Sequence, residues 1–293
     1  MANEFDFIEW IRAQQRTSER VILPAQDDLG ILKFDPTDFV LVGIDQVFDG
    51  VHFDSAVHAP ELIGRKAMNR NLSDCAAMAC LPTAAVVSVA VRKGTDVEFL
   101  KRLYLGLKEA GDAFDCAIVG GDTGAWDQRL AVSVAIMGRS AGVKPIQRNG
   151  AKPGDAVYAT GPLGGSILGR HLTFTPRIHE ARQLATQHRI SAMIDISDGL
   201  SRDLAHICRE SHVGVVVDAA AIPIHDDVAK LTDGGDPLMH ALSDGEDHEL
   251  CFTGDEDISD AIRIGTIVAE QGMWIDRAGK RDVLNPTAFE HRF

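Results

Sequence analysis

The sequence lacks several features that mark common classes of protein. Its five cysteines are scattered and never form a C-x-x-C pair, which argues against a zinc site and for reduced thiols. No apolar run approaches the roughly 20 residues that a transmembrane helix needs. The acidic N-terminus has no basic region of the kind that begins a signal peptide. We therefore expect a cytoplasmic protein without a membrane partner.

Basic residues are also scarce. There are 29 Lys and Arg against 43 Asp and Glu, which gives a formal net charge of −14. A surface this acidic repels nucleic acid, so a nucleic-acid partner is not expected. If the substrate carries phosphate, divalent cations must neutralise both the substrate and the acids around it.

The 293 residues suffice for two domains with sizeable cores. Strand-like and helix-like segments follow one another along both halves of the chain. A segment dense in glycine and proline, residues 139–154, reads as a connection. We predict an N-terminal domain over residues 1–140 and a C-terminal domain over residues 150–293.

One stretch, Ala192–Leu200, is the most informative. A short apolar strand is predicted to end in Asp195, and Ser197, Asp198 and Gly199 then precede a helical pattern. Ser197 or Asp198 can cap that helix, because a short oxygen-bearing side chain accepts hydrogen bonds from the first turn. Asp195 has no such local use. Both a simple helix cap and a metal–phosphate site fit this stretch.

The same arrangement recurs, since apolar strands or packed helices run into aspartates elsewhere. The residues concerned are Asp45, Asp74, Asp122 and Asp195, with Asp28 and Asp198 in similar polar turns. Two like charges 4 Å apart cost about 4 kcal/mol at an effective dielectric constant near 20, so converging carboxylates need cations or raised pKa values. Ligands that are all oxygen favour Mg²⁺ over zinc.

Two glycine-rich turns differ in what they predict. The turn at Gly161–Ser166 opens a helix but lacks the Lys-Ser/Thr of a P-loop, so we interpret it as a tight turn. Gly120 and Gly121, followed by Asp122, would let the backbone approach a phosphate and offer a carboxylate to its metal ion.

Several motifs together resemble the motif series of the thiamine-monophosphate kinase family, which belongs to the aminoimidazole-ribonucleotide synthetase-like ATP-binding proteins. In chain order they are Asp45 with Gly50–Phe53, Asn71–Asp74, Gly120–Thr123, Arg148–Asp155, Met193–Leu200 and Gly245–Asp247. Each motif is weak alone, but their shared order is specific.

This resemblance implies a two-domain α/β (α+β) fold of the synthetase-like kind. It implies an N-terminal mixed α/β domain that pairs in a homodimer, a C-terminal α/β sandwich domain, and ATP in a cleft between the halves. The implied reaction is a Mg²⁺-dependent transfer of the ATP γ-phosphoryl group to thiamine monophosphate, giving thiamine diphosphate and ADP.

Carried over by position, the resemblance also implies roles for individual residues. Metal ligands would be Asp28, Asp45, Asp74, Asp122, Asp195 and, for an additional cation, Asp198. ATP contacts would be Tyr104, Gly121, Asp122, Arg148 and Ser197, while His52, Glu246 and Phe289 would contact the thiamine phosphate. Catalysis would then rest on Asp45, Asp74, Asp122 and Arg148, through positioning and charge neutralisation of an in-line transfer.

The chain departs from the family pattern at some positions. Leu23–Gln26 stands where a Gly-x-Gly is usual, and Gly43 and Ile44 replace Ser/Thr residues before Asp45. These departures leave two alternatives open. One is a related phosphotransferase or synthetase acting on another phosphorylated small molecule, and the other is a non-catalytic nucleotide-binding homologue.

Overall fold

A computed structural model describes residues 4–15, 17–23 and 31–286. Asp28 and Phe289, both expected at the site, lie outside the described residues. The chain divides into an N-terminal unit, Met1–Cys75 with Cys80–Gly142, and a C-terminal unit, Ala76–Ala79 with Val143–Phe293. The division after Gly142 falls within the glycine- and proline-rich segment.

The N-terminal unit is built on a four-stranded sheet with the strand order β3-β6-β4-β5, beside a separate antiparallel pair β1-β2. Its elements are α1 (Glu4–Ala13), β1 (Val21–Leu23), β2 (Ile31–Leu32), β3 (Val40–Phe48), α2 (Pro60–Ala77), β4 (Leu81–Arg92), α3 (Val97–Asp112), β5 (Ala117–Trp126) and β6 (Ala131–Arg139). β4 and β5 are parallel, whereas β6 runs antiparallel to both of its neighbours.

The two faces of this sheet differ in exposure. In β3 the side chains alternate, so that Val47 is buried while Val42 and Ile44 are 74% and 65% exposed. Helix α2 packs on the buried face, where the Asp74 carboxylate lies beside Gly43. The open face is apolar, and its exposed members include Val40, Val42, Ile44, Phe48 and Val86.

Helices α2 and α3 pack through glycines at their contact. A Cβ atom on Gly106 would lie 2.0 Å from the backbone oxygen of Glu61, and one on Gly64 would lie 2.1 Å from the backbone oxygen of Leu103. Both obstacles are backbone atoms, which cannot move aside as a side chain can. The two helices therefore approach closely only because neither position carries a side chain.

The C-terminal unit is built on a seven-stranded sheet with the order β13-β12-β9-β11-β7-β10-β8. Its elements are β7 (Ala156–Ala159), α4 (Arg170–Thr173), α5 (Ile178–Gln187), β8 (Ile190–Asp195), α6 (Leu200–Ser211), β9 (Gly214–Asp218), α7 (Pro237–Ser243), β10 (Leu250–Gly254), β11 (Ile262–Val268), β12 (Gly272–Arg277) and β13 (Lys280–Val283). The pair β12–β9 is parallel, and the other pairs of this sheet are antiparallel.

Helix α6 supplies much of the core of this unit. Leu200, Leu204 and Ile207 recur at helical spacing and are fully buried with the strand residues Val215 and Ile264. The two sheets with their helices confirm the mixed α/β fold class. Within residues 4–15, 17–23 and 31–286, no helix has the length and hydrophobicity required to cross a membrane.

The contact between α2 and α3 yields a stability prediction. Gly106→Ala should destabilise the protein by about 2 kcal/mol, because the added methyl group overlaps the Glu61 backbone. The midpoint of thermal unfolding should fall by on the order of 5 °C. Gly124→Ala is the matched control, since a Cβ there meets no atom within 4 Å among the described residues. Equal midpoints for the two variants would contradict the close packing.

Candidate active site

Asp45 lies inside β3, not at its end as predicted. The strand continues to Phe48 because its alternating pattern and its pairing with β6 continue, with Asp45 opposite Val134 and Phe48 opposite Ala131. The carboxylate of Asp45 therefore projects from the sheet face that α2 covers. The Nε atom of Arg70, on α2, donates a hydrogen bond to Asp45 Oδ2 over 3.0 Å.

Asp74 lies on the same helix as Arg70, one turn further along. Its Oδ2 atom is 3.9 Å from the position that a Cβ atom on Gly43 would take. Gly43 and Asp45 are alternate residues of β3 and point to the same face. The structure thus brings Asp45 and Asp74 to one seam between β3 and α2, with Arg70 beside them.

Asp122 lies on the other face of the sheet. The predicted turn at Gly120–Thr123 is instead part of β5, where Asp122 pairs with Ser88 of β4. Ser88 in turn pairs with Ser133, and Ser133 with Gln46, so a polar row crosses the otherwise apolar open face. The strand continues because the backbone of this glycine-containing segment stays paired with β4 up to Trp126.

The pairing of residues across the sheet shows from which face each of the Asp45 and Asp122 side chains projects. Asp45, Val134, Val87 and Gly121 align across the sheet, and a Cβ atom on Gly121 would lie 2.2 Å from the Val87 backbone oxygen. Asp45 and Asp122 thus project from opposite faces of strands that are three positions apart, which is about 14 Å at the usual strand spacing. Within one chain these two carboxylates do not meet.

His52 lies in the tight turn that follows β3. Its Nδ1 atom accepts a hydrogen bond of 3.1 Å from the Phe48 backbone N–H. A neutral imidazole whose Nδ1 accepts carries its proton on Nε2, so Nε2 is the donor of this ring. The ring also packs at a tilt against Phe48, with 5.8 Å between the centroids.

Tyr104 is buried in α3 beneath the N-terminal helix. Its hydroxyl accepts a hydrogen bond of 2.8 Å from Gln15, and its ring packs edge-on against Trp10 at 5.6 Å. Burial, with a contribution from Asp112, raises the pKa of Tyr104 to about 12. Tyr104 therefore keeps its proton, which leaves its hydroxyl able to donate a hydrogen bond.

In the C-terminal unit, two loops are joined by backbone hydrogen bonds. The Ile196 N–H donates a hydrogen bond of 2.7 Å to the Glu249 backbone oxygen, and the His248 N–H donates one of 2.8 Å to the Ile196 backbone oxygen. A third bond of 2.8 Å runs from Glu246 N to Ser197 O. Asp195, which ends β8 as predicted, is buried where these loops begin.

The cap of α6 differs from the expectation. The N-cap residue is Gly199, with φ of 112°, and neither Ser197 nor Asp198 caps the helix with its side chain. Asp203, in the first turn, instead holds the segment before the helix, since its Oδ2 accepts hydrogen bonds from Asp198 N and Gly199 N at 3.0 and 3.1 Å. A φ of this sign suits glycine, which has no side-chain oxygen with which to cap the helix.

Asp203 is a buried acid beside two others. Burial, and then the negative charges of Asp195 and Asp198, raise the pKa of Asp203 to about 8. The strand-to-helix turn therefore concentrates three carboxylates, and the raised pKa keeps one of them, Asp203, mostly protonated near neutral pH.

His248 lies between Asp195, a candidate metal ligand, and Glu246, a candidate substrate contact. Its buried ring stacks on Phe174 at 4.0 Å, with Nδ1 3.5 Å from Asp195 Oδ2 and Nε2 3.9 Å from Glu246 Oε2. Burial lowers the pKa of His248, but these two carboxylates outweigh it and raise the pKa above its ordinary value. Glu246 and His248 both adopt positive φ values, 57° and 53°.

The glycine turn that begins at Gly161 is a structural support, as predicted, and not a phosphate loop. The Gly164 N–H donates to both Asp247 oxygens at 3.0 and 3.1 Å, and the Gly165 N–H donates to Asp244 at 2.9 Å. These two backbone N–H groups already donate to carboxylates of the protein, as a structural turn does and a phosphate-binding loop does not. Asp247 is also paired with Arg170 at 3.0 Å, and burial raises its pKa to about 6.

Arg148 is exposed on the segment that runs along β8. Its neighbour Gln147 accepts a hydrogen bond from Met193 N at 3.2 Å, and its own backbone oxygen accepts one from Ser211 at 2.9 Å. Its charge contributes to lowering the pKa of His206, after burial and Arg209. The backbone is thus anchored while the guanidinium faces solvent.

The sequence interpretation missed Arg70, Asp203 and His248. Arg70 and Asp203 each had a usable signal, because Arg70 is four residues before Asp74 and Asp203 is four residues after Gly199. His248 had none, since its partner Asp195 is distant in sequence. Across the part of the chain that the structure describes, no three His, Cys, Asp or Glu side chains form a ready-made metal cluster.

Comparisons with known proteins extend over nearly the whole chain. The model of the family "AIR synthase related protein, N-terminal domain" matches residues 26–140, and that of the C-terminal domain matches residues 152–273. The thiamine-monophosphate kinase of Rhodopirellula baltica is 34% identical over 308 aligned positions, covering 98% of this chain and 97% of that protein.

Solved structures agree in fold. A thiamine-monophosphate kinase from Stenotrophomonas maltophilia K279a gives a TM-score of 0.81 at 30% identity, covering 93% of this chain and 96% of that one. A structure described as AaThiL complexed with AMPPCP and TMP gives 0.79 at 27% identity, covering 99% and 97%. The chain belongs to the thiamine-monophosphate kinase family of AIR synthase related proteins.

Proposed function

We propose that this chain transfers the γ-phosphoryl group of ATP to thiamine monophosphate, giving thiamine diphosphate and ADP in thiamine diphosphate biosynthesis. The observation that carries this proposal is the similarity, over 99% of the chain, to a structure described as bound to AMPPCP, an ATP analogue, and TMP. The 34% identity to a thiamine-monophosphate kinase over 98% of the chain supports the same reaction.

The reaction would use several Mg²⁺ ions, and the donor set fits them. The candidate ligands are carboxylates, which supply the oxygen atoms that Mg²⁺ prefers. The proposed ligands are Asp28, Asp45, Asp74, Asp122 and Asp195, with Asp198 for an additional cation. Because Mg²⁺ is usually held by one or two carboxylates together with substrate phosphates, a ready-made protein cluster is not required. When bound, the ions would neutralise phosphate charge and orient the transferring group.

The protein's own residues would bind and orient the two substrates. The acceptor phosphate is already a competent nucleophile near neutral pH, so no strong general base is needed. His52 would donate a hydrogen bond from Nε2 to that phosphate. The exposed guanidinium of Arg148 would bind the ATP phosphates, and Ser197 and Gly121 would contact the nucleotide. Tyr104 would donate from its hydroxyl, which burial keeps protonated.

The thiamine moiety would meet Glu246 and Phe289. Thiamine carries a positive charge on its thiazolium ring, which suits the Glu246 carboxylate, and its rings suit the aromatic Phe289. The contact of His248 with both Glu246 and Asp195 would couple this end of the substrate to the metal side.

The chain would act as a homodimer formed through the open face of the N-terminal sheet. Val42 and Ile44 are largely exposed there, and a contiguous apolar face on a sheet is typical of an interface. Asp122 projects from the same face. Pairing would therefore bring Asp122 of each protomer against its partner.

The reaction would take place in the cytoplasm. All five cysteines are buried free thiols, which suits a reducing compartment.

The proposed reaction is tested by measuring ADP release from ATP and Mg²⁺, with and without thiamine monophosphate. Asp74→Asn should lower the rate with thiamine monophosphate by at least about 100-fold, because it removes one charged metal ligand. Asp127→Asn, at an exposed ion pair with Lys93, is the control and should leave the rate unchanged. ADP release only with another phosphorylated acceptor would favour a related phosphotransferase that acts on a different substrate. No ADP release with any acceptor would favour a non-catalytic nucleotide-binding homologue.

The charge on Asp203 yields a pH prediction for protein freed of divalent cations. A folded-state pKa near 8, raised from 3.8, means that the folded state holds a proton that the unfolded state loses. Its contribution to the free energy of unfolding should therefore fall as pH rises from 4 to 8, by up to about 1.4 kcal/mol per unit.

Asp203→Asn removes this contribution while keeping an oxygen for the two backbone donors. Denaturant unfolding at pH 5 to 8 should show the wild type losing stability relative to this variant as pH rises. Asp218→Asn, at an exposed acid that accepts from Ala220 N over 2.9 Å, is the control. A wild-type-minus-Asp203→Asn difference that stays constant with pH would contradict the raised pKa.

The proposed dimer is tested by Val42→Asp, which places a charge on the open face. Size-exclusion chromatography with light scattering should show the mass fall from two chains to one. Val57→Asp, at a valine that is 73% exposed in the loop after β3, is the control and should leave the mass unchanged. A wild type that is already monomeric would end the proposal.

A further inference from the structure

The loop that carries Glu246 is held against an earlier stretch of the same unit. We call residues 244–249 the Glu246 loop and residues 164–177, which include α4, the clamp segment. The glycine turn at the start of the clamp segment donates backbone hydrogen bonds to two acids of the loop. The Ser166 hydroxyl adds a hydrogen bond of 2.8 Å to the Gly245 backbone oxygen. The clamp segment therefore contacts both the backbone and the side chains of the loop.

An ion pair with two hydrogen bonds holds the other end of the Glu246 loop. Arg177, the N-cap residue of α5, donates from Nε to Glu249 Oε2 over 2.8 Å and from Nη2 to Glu249 Oε1 over 2.6 Å. Thr160 donates a third hydrogen bond, of 2.6 Å, to Glu249 Oε2. The Glu249 side chain is only 8% exposed. Because a planar guanidinium matches both carboxylate oxygens at once, this pair fixes the direction of Glu249 as well as its position.

The residues just before Glu249 need such support. Glu246 and His248 have positive φ values, which non-glycine residues keep only where surrounding contacts impose them. The His248 ring stacks on Phe174 of the clamp segment, with 4.0 Å between the centroids and 13° between the planes. The contact between Arg177 and Glu249 is next to this stack in both segments. Loss of the ion pair would therefore free the loop to relax toward ordinary φ values and to carry Glu246 with it.

We propose that Arg177 is a positioning residue for the second substrate: by holding Glu249, it keeps the Glu246 loop in its strained conformation and keeps the Glu246 carboxylate at the thiamine moiety. The inference rests on the proposed function, which makes Glu246 a contact of thiamine monophosphate. Arg177 acts through Glu249 and the loop backbone, without a substrate contact of its own. An arginine that only supported the fold would not act on the binding of one substrate selectively.

The first test is steady-state kinetics of Arg177→Gln. The KM for thiamine monophosphate should rise about tenfold, while kcat and the KM for ATP stay within about twofold, because a contact with the thiamine rings is the same in the bound substrate and in the transition state. Glu246→Gln should raise the same KM. The double variant should be no worse than the poorer single variant, since both changes remove one contact.

The second test needs no turnover. The Glu246 and His248 N–H groups donate to the backbone oxygens of Ser197 and Ile196, which protects them from hydrogen exchange. Mass spectrometry of a peptide covering residues 244–250 should show these amides exchanging about tenfold faster in Arg177→Gln than in the wild type.

The matched control is Arg189→Gln. Arg189 is also a partly exposed guanidinium on a buried carboxylate, since its Nη2 lies 2.8 Å from Asp155 Oδ1. It precedes β8, whereas the Glu246 loop lies beyond the other end of that strand, where Asp195 pairs with Leu250. Arg189→Gln should therefore lower the unfolding midpoint, but it should change neither the KM for thiamine monophosphate nor the exchange of residues 244–250.

Three results would each overturn the inference: unchanged exchange in Arg177→Gln, equal rises in both KM values, or a double variant whose KM multiplies the two single effects. If circular dichroism shows that Arg177→Gln does not fold, Arg177→Lys replaces it. This variant keeps the charge but cannot donate in the same fork, so the changes should have the same direction and a smaller size. A wild type that does not phosphorylate thiamine monophosphate would refute the proposed function, whereas the exchange experiment would still decide whether Arg177 holds the loop.

Discussion

Repulsion between carboxylates is the constraint on which the site depends, and the two units meet it differently. In the C-terminal unit, Asp203 accepts hydrogen bonds from two backbone N–H groups, and burial, followed by the charges of Asp195 and Asp198, raises its pKa to about 8. In the N-terminal unit, a guanidinium on α2 lies directly on Asp45. One unit tolerates excess negative charge by holding a proton, whereas the other has a permanent counter-charge. In both units, groups of the protein itself offset the negative charge.

Strained backbone in the C-terminal unit places His248 beside the acids. Gly245, Glu246 and His248 have positive φ values, and for the two non-glycine residues this costs on the order of 1 kcal/mol or more each. The strain persists because the loop is tied to the segment after Asp195 by three backbone hydrogen bonds. In this conformation the buried His248 imidazole lies 3.5 Å from Asp195 and 3.9 Å from Glu246. Such strain is typical of functional sites.

Much of this could be predicted from the sequence, and the failures have physical causes. The family, and with it the α/β class, could be predicted because short motifs and their order can be read directly from the sequence. The strand end at Asp195 was also predictable, because an apolar run stops there. Asp122 was misjudged because glycines suggested a turn, whereas pairing with β4 extends the strand and decides which face the carboxylate takes. The contact of His248 with Asp195 and the order of the seven strands depend on long-range pairing, which local periodicity does not encode.

The proposed function requires these acids to hold cations. The most direct measurement is the thermal unfolding midpoint of the wild-type protein against free Mg²⁺, compared with NaCl at equal ionic strength, with AMPPCP present in both series. Binding to the folded state alone stabilises it by RT ln(1 + [L]/Kd), so the midpoint should rise steadily with Mg²⁺ and stay nearly constant with NaCl. Superimposable curves for the two salts would contradict the account.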